Sequence, residues 1–269
     1  MSKKYIFDRD EGILNINKRN EDFALCSDES CKRFFVEKCD IGNVVIDGEE
    51  HNHLSNVMRL KIGDEVTLIC NNEYDYHGKI TEINKKFTVI NVISKDINKA
   101  NPSVEITAFV AVNKKEPTSL MIRMLSELGV SNYVPLKTKW TQAQDEKINI
   151  ERYQKIADQS AKQCRRSKTL KILEMQTLED ACKNLNQFDV TYFAYEKENI
   201  DENFLNNKLG KDQIKKIAFI IGPVAGFDKD EANLIIKSGA KSISLGKRIL
   251  KADTACIALA SLITNYFDN

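Results

Sequence analysis

Glycine and proline are scarce in this chain of 269 residues, 11 and 4 in number, and that scarcity excludes collagen-like, low-complexity and wholly disordered polymers. Histidine is rarer still, at positions 51, 53 and 77 only. No apolar run approaches the length of about 20 residues that crosses a bilayer. The opening MSKKYIFDRDEG lacks the apolar stretch of a signal peptide. The seven cysteines, at 26, 31, 39, 70, 164, 182 and 256, include no C-x-x-C pair. A zinc ribbon or disulfide framework is therefore not expected; reduced, mostly buried thiols in a cytoplasmic protein are. An excess of charge is missing too: 40 Lys and Arg face 39 Asp and Glu, so a polyanion-binding surface has to come from segregated charge.

Several site signatures are absent as well. There is no G-x-G-x-x-G, no G-x-x-x-x-G-K-[ST], no G-x-S-x-G and no H-E-x-x-H. These absences argue against the ordinary dinucleotide loop, a Walker-type NTPase, an α/β-hydrolase and a zinc protease. His51 and His53 share an H-x-H spacing, but on a helix their side chains diverge by about 200°. No metal is expected.

What is present reads as globular: 42% hydrophobic and 29% charged residues, in a length that suggests two domains. Residues 1–30 carry seven acids and five bases with little periodicity, as an appended, loosely structured segment would. From Arg33 the chain shows short β-rich runs, FFVE, VVID, DEVTLIC, YHGKI and KKFTVINVI, separated by turn signals. They predict a small β-barrel over 31–100. One helix, EEHNHLSNVMRL, is predicted to interrupt it, with Leu54, Val57, Met58 and Leu60 on one side. After Asn101-Pro102, strands alternate with longer helices through 101–269, the pattern of an α/β domain with a parallel sheet. The first of those helices opens at Pro117 and carries the apolar stripe Leu120, Met121, Met124, Leu125 and Leu128 up to Gly129. In such sheets ligands sit at the carboxyl ends of the strands.

Positive charge is concentrated in two places. Residues 137–171 hold ten bases and four acids, and residues 241–251 hold four bases and no acid. Clustered Lys and Arg of this kind, with the adjacent pair Arg165-Arg166, suit a polyanion, although a solvated helix face gives the same pattern. Two strands run straight into glycine loops, IIG-PVAG and ISL-GKR. Either alone is an ordinary turn; together at the sheet's carboxyl ends they can form a main-chain-lined pocket suited to an adenosine-bearing ligand.

The stretches ISLGKRILKADTA and IIGPVAGF resemble the closing motifs of the small-subunit ribosomal RNA uridine-N3 methyltransferases, a branch of the SPOUT superfamily. KRFFVE, HNHLSNVMRLKIGDEV, Lys114, SELGV and ERYQKIADQSAKQCRR add to the resemblance, which spans residues 31–267. It implies a trefoil-knotted α/β domain that binds S-adenosylmethionine and dimerises, preceded by a PUA-like RNA-binding barrel. It implies a cofactor pocket at Tyr195, Glu196, Ile221, Gly222, Pro223, Gly226, Leu245, Gly246, Ile249, Leu250 and Thr254. RNA contacts are implied at Arg33, Arg59, Lys114, Gln163, Arg165 and Arg166, with Arg166 against a phosphate or the target base.

Two departures fall in the motifs: Val224-Ala225 stands where the family usually has Glu-Gly, and Lys251-Ala252-Asp253 where it has Arg-Thr-Glu. Uridine N3 carries a proton. The resemblance therefore points to Asp253 as base or base-orienting group, with Arg248 and Lys251 stabilising negative charge on the uracil oxygens. Asp253 is equally a natural first-turn residue of a helix. A non-catalytic RNA-binding dimer is the alternative that Val224 and Ala225 favour, and a methyltransferase with another RNA target is a third reading.

Overall fold

The computed structural model describes residues 5–8, 12–15, 32–112, 115–141, 148–195 and 213–268. Within the N-terminal segment, β1 (Tyr5–Asp8) and β2 (Gly12–Asn15) pair as an antiparallel hairpin. The rest of 1–30 lies outside the described residues.

The β-rich runs form β3 (Arg33–Phe35), β4 (Gly42–Asp47), β5 (Glu65–Ile69), β6 (Tyr74–Ile83) and β7 (Phe87–Ile97). They make one five-stranded sheet in the order β3-β5-β6-β7-β4, antiparallel except for β3 against β5. Register shifts between His77 and Gly78 and between Ile80 and Glu82 bend the long β6–β7 ribbon. A Cβ at Gly78 would meet Asn91 O and Ile90 Cγ2 at 2.7 Å, so only glycine fits that bend. The curled sheet closes over Phe34, Ile46, Leu54, Leu68, Ile80 and Ile90, all fully buried. The predicted helix between β4 and β5 is instead α1 (Gly48–Asn52) followed by a π-helical turn, His53–Val57. Leu54 is buried as expected, but Val57 is 70% exposed. The wider turn takes Val57 off the apolar side that 3.6-residue spacing assigns to it.

The second unit follows the predicted alternation: β8 (Glu105–Ala111), α2 (Lys115–Glu127), β9 (Asn132–Lys137), α3 (Ile150–Gln163), β10 (Lys171–Ile172), β11 (Gln176–Thr177), α4 (Leu178–Lys183), β12 (Val190–Ala194), β13 (Lys216–Ile221), α5 (Lys229–Lys237), β14 (Lys241–Ile243) and α6 (Ala252–Phe267). Every strand pair in it is parallel, in the order β10-β9-β8-β13-β12-β14, with β11 also against β9. Period-two alternation divides the strands between two cores. Ile106, Ala108, Val110, Tyr192 and Phe219 pack on one face with Leu125, Ala157, Leu259 and Ile263. Phe109, Val134, Phe193, Ala218 and Ile220 pack on the other with Leu178, Ala181 and Ile235. Because β12 lies between β13 and β14, the chain crosses β12 on its way from β13 through α5 to β14. Asp228 and Glu231 form a reciprocal capping box at the start of α5.

The two units meet along a polar seam. Asn98 Nδ2 donates to the Asp75 carboxylate and, at 2.8 Å, to Arg165 O. Ser167 Oγ donates to Asn72 O at 2.6 Å, and Thr169 N donates to Asn71 Oδ1 at 2.9 Å.

Candidate functional site

At the carboxyl edge of the sheet, β12 ends between the two glycine loops. Ala194 pairs with Ile243, and Phe193 pairs with Ile220. The next residue, Tyr195, donates its N–H to Ile243 O at 3.1 Å. With strands about 4.8 Å apart, the loops leaving β13 and β14 start about 10 Å from one another. The first loop turns tightly: Gly226 N donates to Pro223 O at 2.8 Å, and Gly226 has φ +74°. Phe227 folds back beneath it, so that a Cβ on Gly222 would meet the Phe227 ring at 2.8 Å. Phe227 lies 5.3 Å from Phe193, which stacks on Tyr195 at 5.2 Å, so three aromatic rings adjoin the first loop. Val224 is 84% exposed.

The second loop, 244–250, has Gly246 at φ +109° with open space around the position of a Cβ. Among the described residues, the N–H groups of Lys247, Arg248, Ile249 and Leu250 make no backbone hydrogen bond, and Ile249 is 87% exposed. Loop residues Ile221, Gly222, Pro223, Gly226, Leu245, Gly246, Ile249 and Leu250 therefore gather at one edge with Tyr195. Glu196 lies outside the described residues.

Arg248, Lys251 and Asp253 occupy the end of this loop and the first turn of α6. Lys251 is the N-cap residue and caps with its main chain only. Asp253 Oδ1 accepts from Thr254 N at 2.8 Å, and no Arg248–Asp253 ion pair forms among the described residues. Asp253 and Thr254 line a groove of about 560 Å³ with Leu120, Met124 and Ile257. The apolar stripe read on α2 divides here: Met121 and Leu125 are buried, whereas Leu120 is 49% exposed along this groove. Leu262 of α6 is exposed too. Both were missed as surface residues; the available signal is that α6 is apolar nearly all round, which a helix covered on one face does not need.

The RNA candidates separate. Gln163 and Arg165 are exposed at the end of α3, and Arg59 is exposed after the π-turn with φ +54°. Lys114 lies outside the described residues. Arg33 and Arg166 do not fit the surface role expected of them. Arg33 is buried and forms a bidentate pair with Asp75, at 3.0 and 2.6 Å. Arg166 is 2% exposed, and its Nη1 donates to Ser126 O at 2.6 Å and Val130 O at 3.1 Å. Each guanidinium is held by internal acceptors through its terminal nitrogens, and each Nε is left without a hydrogen-bond partner among the described residues.

Arg33 and Gln163 nonetheless border one cavity of about 630 Å³ between the curled sheet and α3, together with Phe35, Glu50, Asp158 and Lys162. Burial there pushes the Asp158 carboxyl above its ordinary range, against the opposing hydrogen bond from Gln154.

The sequence matches the RNA methyltransferase domain family over residues 99–264 and the RNA methyltransferase PUA domain over residues 46–93. It is 31% identical to ribosomal RNA small subunit methyltransferase E of Buchnera aphidicola, over 82% of this chain and 87% of that protein. It is 30% identical to the protein of the same name from Rickettsia conorii, over 78% of this chain and 84% of that one. The fold superposes with a TM-score of 0.77 on ribosomal RNA small subunit methyltransferase E from Neisseria gonorrhoeae bound to S-adenosyl methionine, which is 19% identical; the match covers 88% of this chain and 98% of that one. The chain belongs to the RNA methyltransferase family whose relatives include ribosomal RNA small subunit methyltransferase E.

Proposed function

We propose that this RNA methyltransferase transfers the methyl group of S-adenosylmethionine to N3 of a uridine in small-subunit ribosomal RNA, working in the cytoplasm as a homodimer. The observation that carries this reading is the convergence of the loops after β13 and β14 on the end of β12. The crevice suits an adenosyl group: it offers main-chain donors at 247–250, aromatic rings beside the first loop, open space at Gly246, and a glycine at 222 where a side chain would strike Phe227. Tyr195, Ile221, Gly222, Pro223, Gly226, Leu245, Gly246, Ile249 and Leu250 would hold it, with Glu196 and Thr254 as further contacts. When bound, S-adenosylmethionine supplies a sulfonium-activated methyl. The chain's own part is alignment in a site that excludes water, and management of one proton. Asp253 takes or orients the N3 proton, its second oxygen being left over from the bond to Thr254 N. Arg248 and Lys251 stabilise negative charge on the uracil oxygens.

The groove between α2 and α6 supports the dimer. Leu120, Met124, Ile257 and Ala258 form a partly exposed apolar strip continuous with Asp253, and a second copy laid there would dry the catalytic turn. The crossing of β12 supports the trefoil reading of the 101–269 domain, and 31–100 is taken as its PUA-like companion. Among the described residues no helix is long and apolar enough to cross a membrane.

The test is to incubate the protein with labelled cofactor and small-subunit rRNA from cells lacking the gene, then map the modified nucleotide. A single N3-methyluridine, lost in Asp253→Ala while cofactor and RNA binding persist, is expected. Label at another position or base overturns the assignment of target, and absence of cofactor binding overturns the enzyme.

A further inference from the structure

We propose that the cavity at the opposite, amino-terminal edge of the parallel sheet binds phosphates of the RNA backbone. The proposal rests on the RNA methyltransferase reading above. The cavity, about 540 Å³, lies where β8, β9, β10 and β13 begin, with Asn71, Asn72 and Glu73 of the curled sheet as its far wall. Four lysines line it: Lys168, Lys171, Lys215 and Lys216. Two carboxylates also face it, and both are engaged. Glu73 accepts from Lys168 Nζ at 2.5 Å, which holds its carboxyl below the usual range, and Glu105 accepts from Asn132 Nδ2 at 2.9 Å. Lys171, Lys215 and Lys216 are exposed and form no ion pair among the described residues.

Behind these lysines lies Arg166, which also borders the cavity. Its Nη1 is held by two carbonyls, its Nε has no partner, and no carboxylate pairs with it among the described residues. Burial acts against its charged form. The Asp268 carboxylate acts from a distance to favour that charge, short of an ion pair, and a phosphate in the adjoining cavity would add the direct partner Arg166 lacks. The spacing selects a polymer over a lone ion. Lys171 begins β10 and Lys216 begins β13, three strand positions away and two residues along in register, so their main chains stand about 16 Å apart. One phosphate cannot bridge that distance, whereas successive phosphates of a strand can. Lys216 is also about 17 Å along β13 from Ile221, which puts this contact on the far side of the domain from the glycine loops.

The test compares the full chain with a Lys171→Gln/Lys215→Gln/Lys216→Gln variant and with a charge-matched control, Lys85→Gln/Lys86→Gln/Lys237→Gln. The probe is a single-stranded oligouridylate, followed by fluorescence anisotropy across a salt series. At about 0.7 in log-log slope per phosphate contact, three lost contacts lower the salt slope by about 2 and weaken binding roughly 50-fold near physiological salt. The control is expected to lose much less, and thermal melts confirm that both variants fold. If the wild type binds and the pocket variant binds equally well, the pocket is wrong and the RNA reading stands. If the wild type binds no RNA, both fall. If inorganic phosphate stabilises only the wild type while the RNA slopes coincide, the cavity is a small-anion site and the backbone assignment is overturned.

Discussion

Arg33 and Asp75 form a bidentate ion pair across 42 residues of sequence, at 3.0 and 2.6 Å, with little of either side chain exposed. Asp75 also accepts from Asn98 Nδ2, which reaches on to Arg165 O, so one carboxylate ties the curled sheet to the end of α3. Asp75→Ala leaves the buried Arg33 charge without a partner. We expect a loss of about 3–5 kcal/mol of stability, read by denaturant unfolding, together with weaker docking of the two units in limited proteolysis. Wild-type stability in this variant sinks the structural role given to the pair.

The two loop glycines are expected to respond differently to alanine. At Gly222 the new Cβ would strike the Phe227 ring at 2.8 and 2.9 Å, which pushes that ring out of place. Calorimetry with S-adenosylmethionine should show binding weakened at least tenfold. At Gly246 the space is open, and only the left-handed φ of +109° opposes a side chain, a strain of about 1–2 kcal/mol. Gly246→Ala should bind the cofactor more tightly than Gly222→Ala does. The reverse order contradicts the geometry of the crevice.

A charge placed in the α2–α6 groove should separate the copies. Leu120→Asp and Ser261→Asp alter exposed positions of that groove and leave the core alone, so each monomer stays folded. Sedimentation velocity is expected to move from dimer to monomer, with methyl transfer falling in parallel because Asp253 lines the same groove. A monomeric wild type, or dimeric variants, removes the interface.

Asp228 links stability to pH. Hydrogen bonds from the backbone of Glu231 and from the Lys139 side chain hold its carboxyl below the ordinary 3.8. A carboxyl depressed in the folded state contributes stability above its unfolded value and loses it as pH falls through the folded one. Asp228→Ala should therefore melt earlier than wild type at neutral pH, and the gap should narrow as pH drops below about 4. A gap that widens on acidification contradicts the capping role.

The sequence by itself determined the alternation of strands and helices, the two glycine loops and their order, because period-two and period-3.6 burial and the turn preferences of glycine are local properties. Two β-rich residues such as Phe193 and Ile220 are apolar in any reading; that they meet in one core follows from the strand order. The tertiary structure alone decided which cations face solvent. Arg165 and Arg166 are indistinguishable in a charge count, yet the left-handed φ of +66° at Arg165 turns the chain so that Arg166 runs under the Ser126–Val130 segment. The same holds for Lys171 and Lys216, 45 positions apart in the chain and brought to one cavity only by parallel pairing. Charge patterning records how many bases a segment holds, whereas their direction depends on backbone reversals and on partners distant in the chain.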